Sequence, residues 1–431
     1  MRLVLATFVL SACAVVPTPE SLARQGYRPL FDGAALSGWH GQRHFDPYKL
    51  AAMSAEERAK LRAEDDATMA AHWRVENGEL VNDGNGAYLT TDAVFGDAEY
   101  VLEYKTVALA DSGIYLRGCP QVQIWDYTEA GGKWKLGADK GSGGLWNNDK
   151  HERFPPKVAD KPFGEWNRLE IRQLGERVWV KLNGVVTVDG VVMENYWNRA
   201  LPLPASGPLQ LQTHGGEIRF RELWVREIPA DEANAMLRAL HGDRFVSVFD
   251  GASWQGWQGD TDSYEIEDGA IRCKAGKGGN VFTERSYSDF AVQLQFKVPP
   301  GGNNGLAIRY PGKGDPAYAG FEVQVLDDSA EKYAKLQPYQ YHGSVYGMVP
   351  SMRGYQRPVG EWNFEVVTVR GSHFTVELNG TVIVDADVAG LESHLENHVG
   401  KDNTAGFFGF CGHNDPVSFR DIRIADLTDS R

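Results

Sequence analysis

Two short strand-like runs carry chemically useful side chains at a spacing of two, Glu322-Val323-Gln324 in one half of the chain and Gln121-Val122-Gln123 in the other. Alternate side chains of a strand share a face, so Glu322 and Gln324 point together, as do Gln121 and Gln123. A carboxylate on such a face is a candidate proton acceptor, and the imidazoles of His413 and His214 are candidates for the same task near neutral pH. Arg309 and Arg117 each close an apolar run and offer a cation for a developing oxyanion, while Asp126 and Asp327 follow the two Gln-bearing runs directly. Each has a structural alternative: the arginines as ion-pair partners, and His214 and His413 as turn histidines beside Gly215-Gly216 and Asn414-Asp415.

These residues need elements to hold them, and self-comparison supplies the elements. Leu30-Phe31-Asp32-Gly33 precedes Trp39, and Val248-Phe249-Asp250-Gly251 precedes Trp257, by the same six residues from the glycine. Gly164-Glu165-Trp166-Asn167 and Gly360-Glu361-Trp362-Asn363 each stand seventeen residues, tryptophan to asparagine, before Asn183-Gly184 and Asn379-Gly380. Asn-Gly between alternating apolar runs predicts a hairpin with a type I′ turn, because both central residues must take positive φ. Short alternating segments separated by Gly, Asp and Asn fill both halves and predict an all-β fold, two tandem antiparallel β-sandwiches. Trp166 and Trp362, at strand starts, are expected in the core. Helical signal is confined to two places. Ser54 with Glu57 forms a capping box that opens an insertion over Ala55 to about Ala71 in the first copy. A second stretch, Asp231 to Leu240, lies in a linker over residues 229–244, between copies at 25–228 and 245–431.

Bulk composition narrows the partners. At 431 residues the chain is long enough for two cores. A net charge of -14 without any dense Lys/Arg run argues against nucleic acid, whose affinity rests on phosphate neutralisation. Trp125, Trp146 and Tyr346 stand among polar, Gly-rich neighbours and suit sugar stacking, with Gln121, Asn147 and Asp327 as binding companions. The clusters Asn147-Asn148-Asp149 and Asp327-Asp328 offer oxygen ligands of the kind calcium takes, and turn chemistry explains them equally. No Cys-x-x-Cys pair of the kind zinc takes occurs. The start of the chain, Arg2 then an apolar run ending in Leu10-Ser11-Ala12-Cys13, is similar to a bacterial lipoprotein signal. It implies export, lipidation of Cys13, a tether through residue 24 and an outer-membrane or periplasmic location. Of Cys119, Cys273 and Cys411, the last two are the expected disulfide pair in an oxidising compartment.

The landmarks together resemble the 3-keto-disaccharide hydrolase family, whose fold is of the concanavalin A-like lectin and glucanase type. The carrying residues in the first copy are Ser112-Gly113-Ile114-Tyr115-Leu116-Arg117, Gln121 to Asp126, Gly141 to Asn148 and Leu211-Gln212-Thr213-His214-Gly215. In the second they are Asn304-Gly305-Leu306-Ala307-Ile308-Arg309, Glu322 to Asp327 and Gly412-His413. The family's strand usually reads Glu-x-Gln, kept as Glu322 and Gln324; Gln121 departs from it and removes a carboxylate base from the first copy's site. The resemblance implies cleavage of 3-keto-glycosides. A 3-keto group acidifies the C2 hydrogen, so Glu322 or His413 would abstract it, Arg309 would stabilise the enolate and Gln324 would hold a hydroxyl. Arg117, Gln123, Asp126 and His214 would be the first copy's counterparts. Two other readings stay open: glycoside hydrolysis by paired carboxylates, with Glu322 beside Asp327 or Asp328, and carbohydrate binding without catalysis.

Overall fold

A computed structural model describes residues 18–428. The lipidation candidate Cys13 lies outside the described residues. The chain divides into two compact units, Met1–Ile228 and Pro229–Arg431.

The large antiparallel sheet of the first unit runs Val185–Val192, Arg177–Leu182, Asn167–Leu174, Ala98–Thr106, Ile218–Glu227, Glu79–Asn82, Trp73–Glu76, with Arg28–Pro29 beside Ile218–Glu227. Its smaller sheet runs Trp39–Gln42, Tyr88–Phe95, Gly207–Leu211, Asp111–Leu116, Cys119–Trp125. In the second unit the large sheet runs Thr381–Asp387, His373–Leu378, Asn363–Arg370, Phe290–Lys297, Ser418–Asp426, Ala270–Cys273, Tyr264–Glu267, with Val246–Ser247 beside Ser418–Asp426. Its smaller sheet runs Trp257–Gly259, Gly278–Tyr287, Gly406–His413, Asn303–Tyr310, Phe321–Leu326. Strand for strand the two orders are the same. The repeated landmarks therefore mark two antiparallel β-sandwiches of one topology.

Local chemistry explains the corners. Asn183 and Gly184 take φ of 53° and 80°, and Asn379 and Gly380 take 50° and 80°, as the two hairpins require. Each unit buries its own core between its sheets. In the second, Phe290, Phe374, Phe408, Phe410 and Phe419 meet Val323, Val325 and Val367; each fully buried side chain of this size is worth roughly 1.5–3 kcal/mol. Because Phe321, Val323 and Val325 enter that core, Glu322 and Gln324 fall on the opposite face of the smaller sheet.

The insertion forms a helix at Ala55–His72, and its capping box closes in both directions between Ser54 and Glu57. A shorter helix, Pro47–Ala52, precedes it. The stretch read as linker holds a helix, Ala230–Leu240, that docks on the second unit: buried Asn234 donates to Gln295 Oε1 at 3.0 Å and to the Trp362 carbonyl.

Two expectations are corrected. Trp166 and Trp362 are not core residues; both are only partly buried. Lys105 and Arg221 flank the first ring at 4.5 and 4.0 Å, and Lys297 and Arg420 flank the second at 4.8 and 4.0 Å. Cys273 and Cys411 are unpaired thiols, as is Cys119. Cys273 points into the inter-sheet core, whereas Cys411 packs with Phe282, Ala307 and Tyr310 on the far side of the smaller sheet, so the two thiols are separated by the sheet itself.

The second core also contains an acid and a base. Glu365 occupies the register position held by Leu169 in the first copy. Its Oε1 lies 3.9 Å from His342 Nε2, with the Phe296 ring 4.8 Å from the imidazole. Burial pushes the Glu365 carboxyl up to about 8 and the His342 imidazole down to about 3. Both groups are therefore neutral near pH 7.

Candidate active site

In the second copy the outer face of the smaller sheet gathers Glu322, Gln324, Cys411 and His413. Strand pairing sets Ala307 opposite Glu322 and Gly305 opposite Gln324, and Gly305 also faces Cys411. Glycine is needed at 305 for space: a Cβ there would lie 2.0 Å from Glu322 Oε1. The carboxyl thus lies across the neighbouring strand, 4% exposed, and its Oε1 has no hydrogen-bond partner among the described residues. His413 Nε2 stands 4.0 Å from that oxygen, with nearly half of its side chain exposed. Burial, reinforced by the charge of Asp315, raises the Glu322 carboxyl to about 8. Burial lowers His413 below the usual imidazole range, against Asp315 and Asp415. Since each group shifts toward its neutral form, the pair is a carboxylic acid facing a neutral imidazole, not an ion pair. Tyr346 borders the acid: its N–H donates to the Glu322 carbonyl at 2.8 Å, and its hydroxyl accepts from Gln340.

The first copy places a different set on the equivalent face. Gln121 donates to Gln123, and Gln123 Nε2 donates to Asp111 Oδ1 at 2.8 Å. Asp111 Oδ2 meets His214 Nδ1 at 2.9 Å and also pairs with Lys133. Asp111 is held below the usual carboxylate range: burial opposes ionisation, but the bonds from His214 and Lys133 prevail. The hydrogen bond to Asp111 raises His214 above the usual imidazole range. Beside this cluster, His44 lies 4.5 Å from the Trp197 ring and 5.8 Å from the Tyr196 ring, centroid to centroid. Sequence reasoning misses Asp111, Lys133 and His44; the aspartate stands directly before Ser112-Gly113, the start of a run that carries the family resemblance.

Several sequence candidates have other duties. Arg309 is buried and donates to the carbonyls of Ser288, Gly371 and Asn403 and to Asp289, so its guanidinium is spent on loops rather than aimed at a substrate. Arg117 does the same with Gly96, Pro204 and Asp97. Both take φ near 50°, a turn geometry that swings the side chain away from its strand's alternation. Asp126 accepts from the N–H groups of Leu109 and Thr128, and Asp327 from those of Gly301 and Ser329, which makes them turn-holding residues. Trp125 is buried and donates to the Gly141 carbonyl. Trp146 donates to the Leu136 carbonyl, packs edge-on against Trp125 and lies under Arg153. The Asn147 carbonyl accepts from Arg199. Of the oxygen-rich clusters, Asn148 ties down the Glu152 and Val192 carbonyls, and Asp328 accepts from the His342 N–H.

A family model described as the 3-keto-alpha-glucoside-1,2-lyase-like domain matches residues 26–226 and again 244–425. A curated relative, a 3-keto-disaccharide hydrolase of Bacteroides thetaiotaomicron, is 26% identical over 248 residues, spanning 47% of this chain and 86% of its own. Among solved structures, a provisionally assigned glycosyl hydrolase of Parabacteroides distasonis is 26% identical, covering 43% of this chain and all of its own at a TM-score of 0.39. A carbohydrate binding module of Bacillus subtilis is 14% identical, covering 40% of this chain and 96% of its own at a TM-score of 0.28.

Proposed function

The chain belongs in both halves to the 3-keto-alpha-glucoside-1,2-lyase-like family, and on that footing we propose that its second copy cleaves the glycosidic bond of 3-keto-disaccharides or related 3-keto-glycosides. The observation that carries this reading is the buried Glu322 acid, its free oxygen facing neutral, half-exposed His413 on the outer face of the smaller sheet. His413 accepts the C2 proton. Electrons move into a C2=C3 bond, and Glu322 gives a proton to the C3 oxygen, so no full enolate charge builds up in a buried site. Return of that proton to Glu322 restores the ketone and expels the C1 substituent, which leaves with the proton held by His413. Water then adds across the C1=C2 bond to give the 3-keto-sugar. Gln324 holds a hydroxyl and Tyr346 borders the sugar.

The test is Glu322→Gln, assayed by mass spectrometry on 3-keto-disaccharides and their unoxidised parents. On an Asp111→Asn/His214→Ala background, where only the second copy turns over, release confined to oxidised substrates and lowered by ~10²–10⁴-fold on adding Glu322→Gln is expected; an undiminished rate removes Glu322 from the mechanism. Binding without turnover by the native chain would favour a carbohydrate-binding lipoprotein instead.

Export and attachment through Cys13 are part of the same proposal, supported by the Leu10-Ser11-Ala12-Cys13 sequence. Cys13→Ser should release the protein from the membrane fraction.

A further inference from the structure

The two sandwiches share a register, and that register pairs Asp111 with Asn303 and Gln121 with Glu322. Each exchange swaps an acid for its amide of the same shape. Neither copy has lost its carboxylate; it sits on one of two adjacent strands in the first and on the other in the second. Gln121, which reads as a lost base when the first copy is considered alone, is half of a relocation.

We propose that the first copy is a second catalytic centre for 3-keto-glycosides, in which His214, oriented by Asp111, is the base and Lys133 steadies the enolate. This rests on the family reading given above. Asp111 fixes the ring through Nδ1 and so leaves Nε2 to meet substrate. The aspartate is itself held by Gln123 and, through it, by Gln121, both more than nine-tenths buried. A substrate-holding wall adjoins the dyad. His44 and Tyr196 are exposed aromatic rings, and His44 meets Trp197 as well as the sheet residues Tyr88 and Tyr115. Gln212 presents a buried Oε1 with no partner among the described residues. The inserted helix Ala55–His72 fixes this wall, since its buried Asp65 accepts from the Arg43 N–H at 2.9 Å and pairs with the Arg43 guanidinium. Among the described residues the second copy has no such helix.

The step balances without a co-reactant. His214 Nε2 takes the C2 proton, the C–H electron pair forms C2=C3, and the C3 oxygen becomes an enolate beside the Lys133 ammonium. The enolate returns to ketone as C1=C2 forms and the C1–O bond breaks, and the imidazolium protonates the departing alkoxide. A 1,2-unsaturated 3-ketone and a free alcohol result.

The experiment uses the full chain carrying Glu322→Gln and His413→Ala, assayed on 3-keto-disaccharides across pH 5 to 9. Turnover at a tenth or more of the native rate, lost on adding Asp111→Asn, is the expected result. Lys133→Met on the same background should cut kcat per folded molecule by tenfold or more, with a thermal melt giving the folded fraction. The groups facing His214 are Asp111, Lys133 and His44. Any residual activity of the Asp111→Asn variant should have its acid limb at lower pH, a shift that a structural role would not produce. An active native chain with background turnover in the Glu322→Gln/His413→Ala variant overturns this proposal alone. A native chain inert toward every oxidised substrate overturns the family reading with it.

Discussion

Gly305 offers a sharp test of the second-copy site, because its effect follows from sterics alone. Its φ is not in the left-handed region, so alanine is tolerated by the backbone. The added Cβ would nevertheless lie 2.0 Å from Glu322 Oε1, 2.5 Å from Cδ and 2.6 Å from Cγ. All three contacts are well inside carbon van der Waals distance, ~3.5 Å at the least, so the carboxyl must move by roughly 1 Å. Misplacement on that scale costs ~10²-fold in rate, equivalent to about 2.7 kcal/mol of barrier. Overpacking of this kind costs stability by about 1–3 kcal/mol, so the fold should survive. The assay is kcat/KM on a 3-keto-disaccharide for Gly305→Ala, on an Asp111→Asn/His214→Ala background that silences the first copy, with a thermal melt as control. A folded variant that keeps its rate within about threefold would refute the assignment of Glu322 as the acid.

Glu322 must be protonated and His413 neutral, so the same silenced background should show kcat/KM falling above pH about 8 and, at the other end, only below the usual imidazole range; Glu322→Gln should lose the alkaline limb. Glu365 binds its proton more tightly folded than unfolded, so its contribution to stability is complete below its ordinary pKa of 4.5 and is lost as pH rises through about 8. Glu365→Leu, which restores the residue type of the first copy, should flatten that decline in melts of the second unit. Arg309→Met strips donors from buried carbonyls, at about 1–3 kcal/mol for each one left unpaired, and should lower the melting temperature while leaving kcat per folded molecule unchanged. Because Cys119, Cys273 and Cys411 are free thiols, added reductant should not shift the melting curve.

The sandwich is legible because Asn-Gly turns and the Trp-to-Asn spacing are short-range signals, and a repeat doubles them. Alternation also puts Glu322 and Gln324 on one face from spacing alone. What alternation cannot say is which face of a sheet meets water, and Trp166 and Trp362 are misplaced for that reason: their cation partners come from strands distant in sequence. The arginines mislead because they stand at the end of a strand, where a single residue at positive φ breaks the period. Asp111 escapes a sequence reading because the position where the family carries its carboxylate holds Gln121 in the first copy. The replacement lies on the adjoining strand, and only the hydrogen-bond register aligns the two.

Tandem copies of one topology face a hazard during folding that single domains do not, since a strand of one can complete the sheet of the other. One of the two outermost strands in each smaller sheet shows how the chain meets it. Trp39–Gln42 has the inserted helix packed along it, and Gly41 is pressed so closely that a Cβ would lie 2.2 Å from the Asp65 carbonyl oxygen. Its counterpart Trp257–Gly259 lacks the inserted helix but is only three residues long. One margin is capped and the other cut short, and both are familiar ways of denying a template to a stray strand. The helix that steadies the first copy's aromatic wall thus also serves as a guard against mispairing.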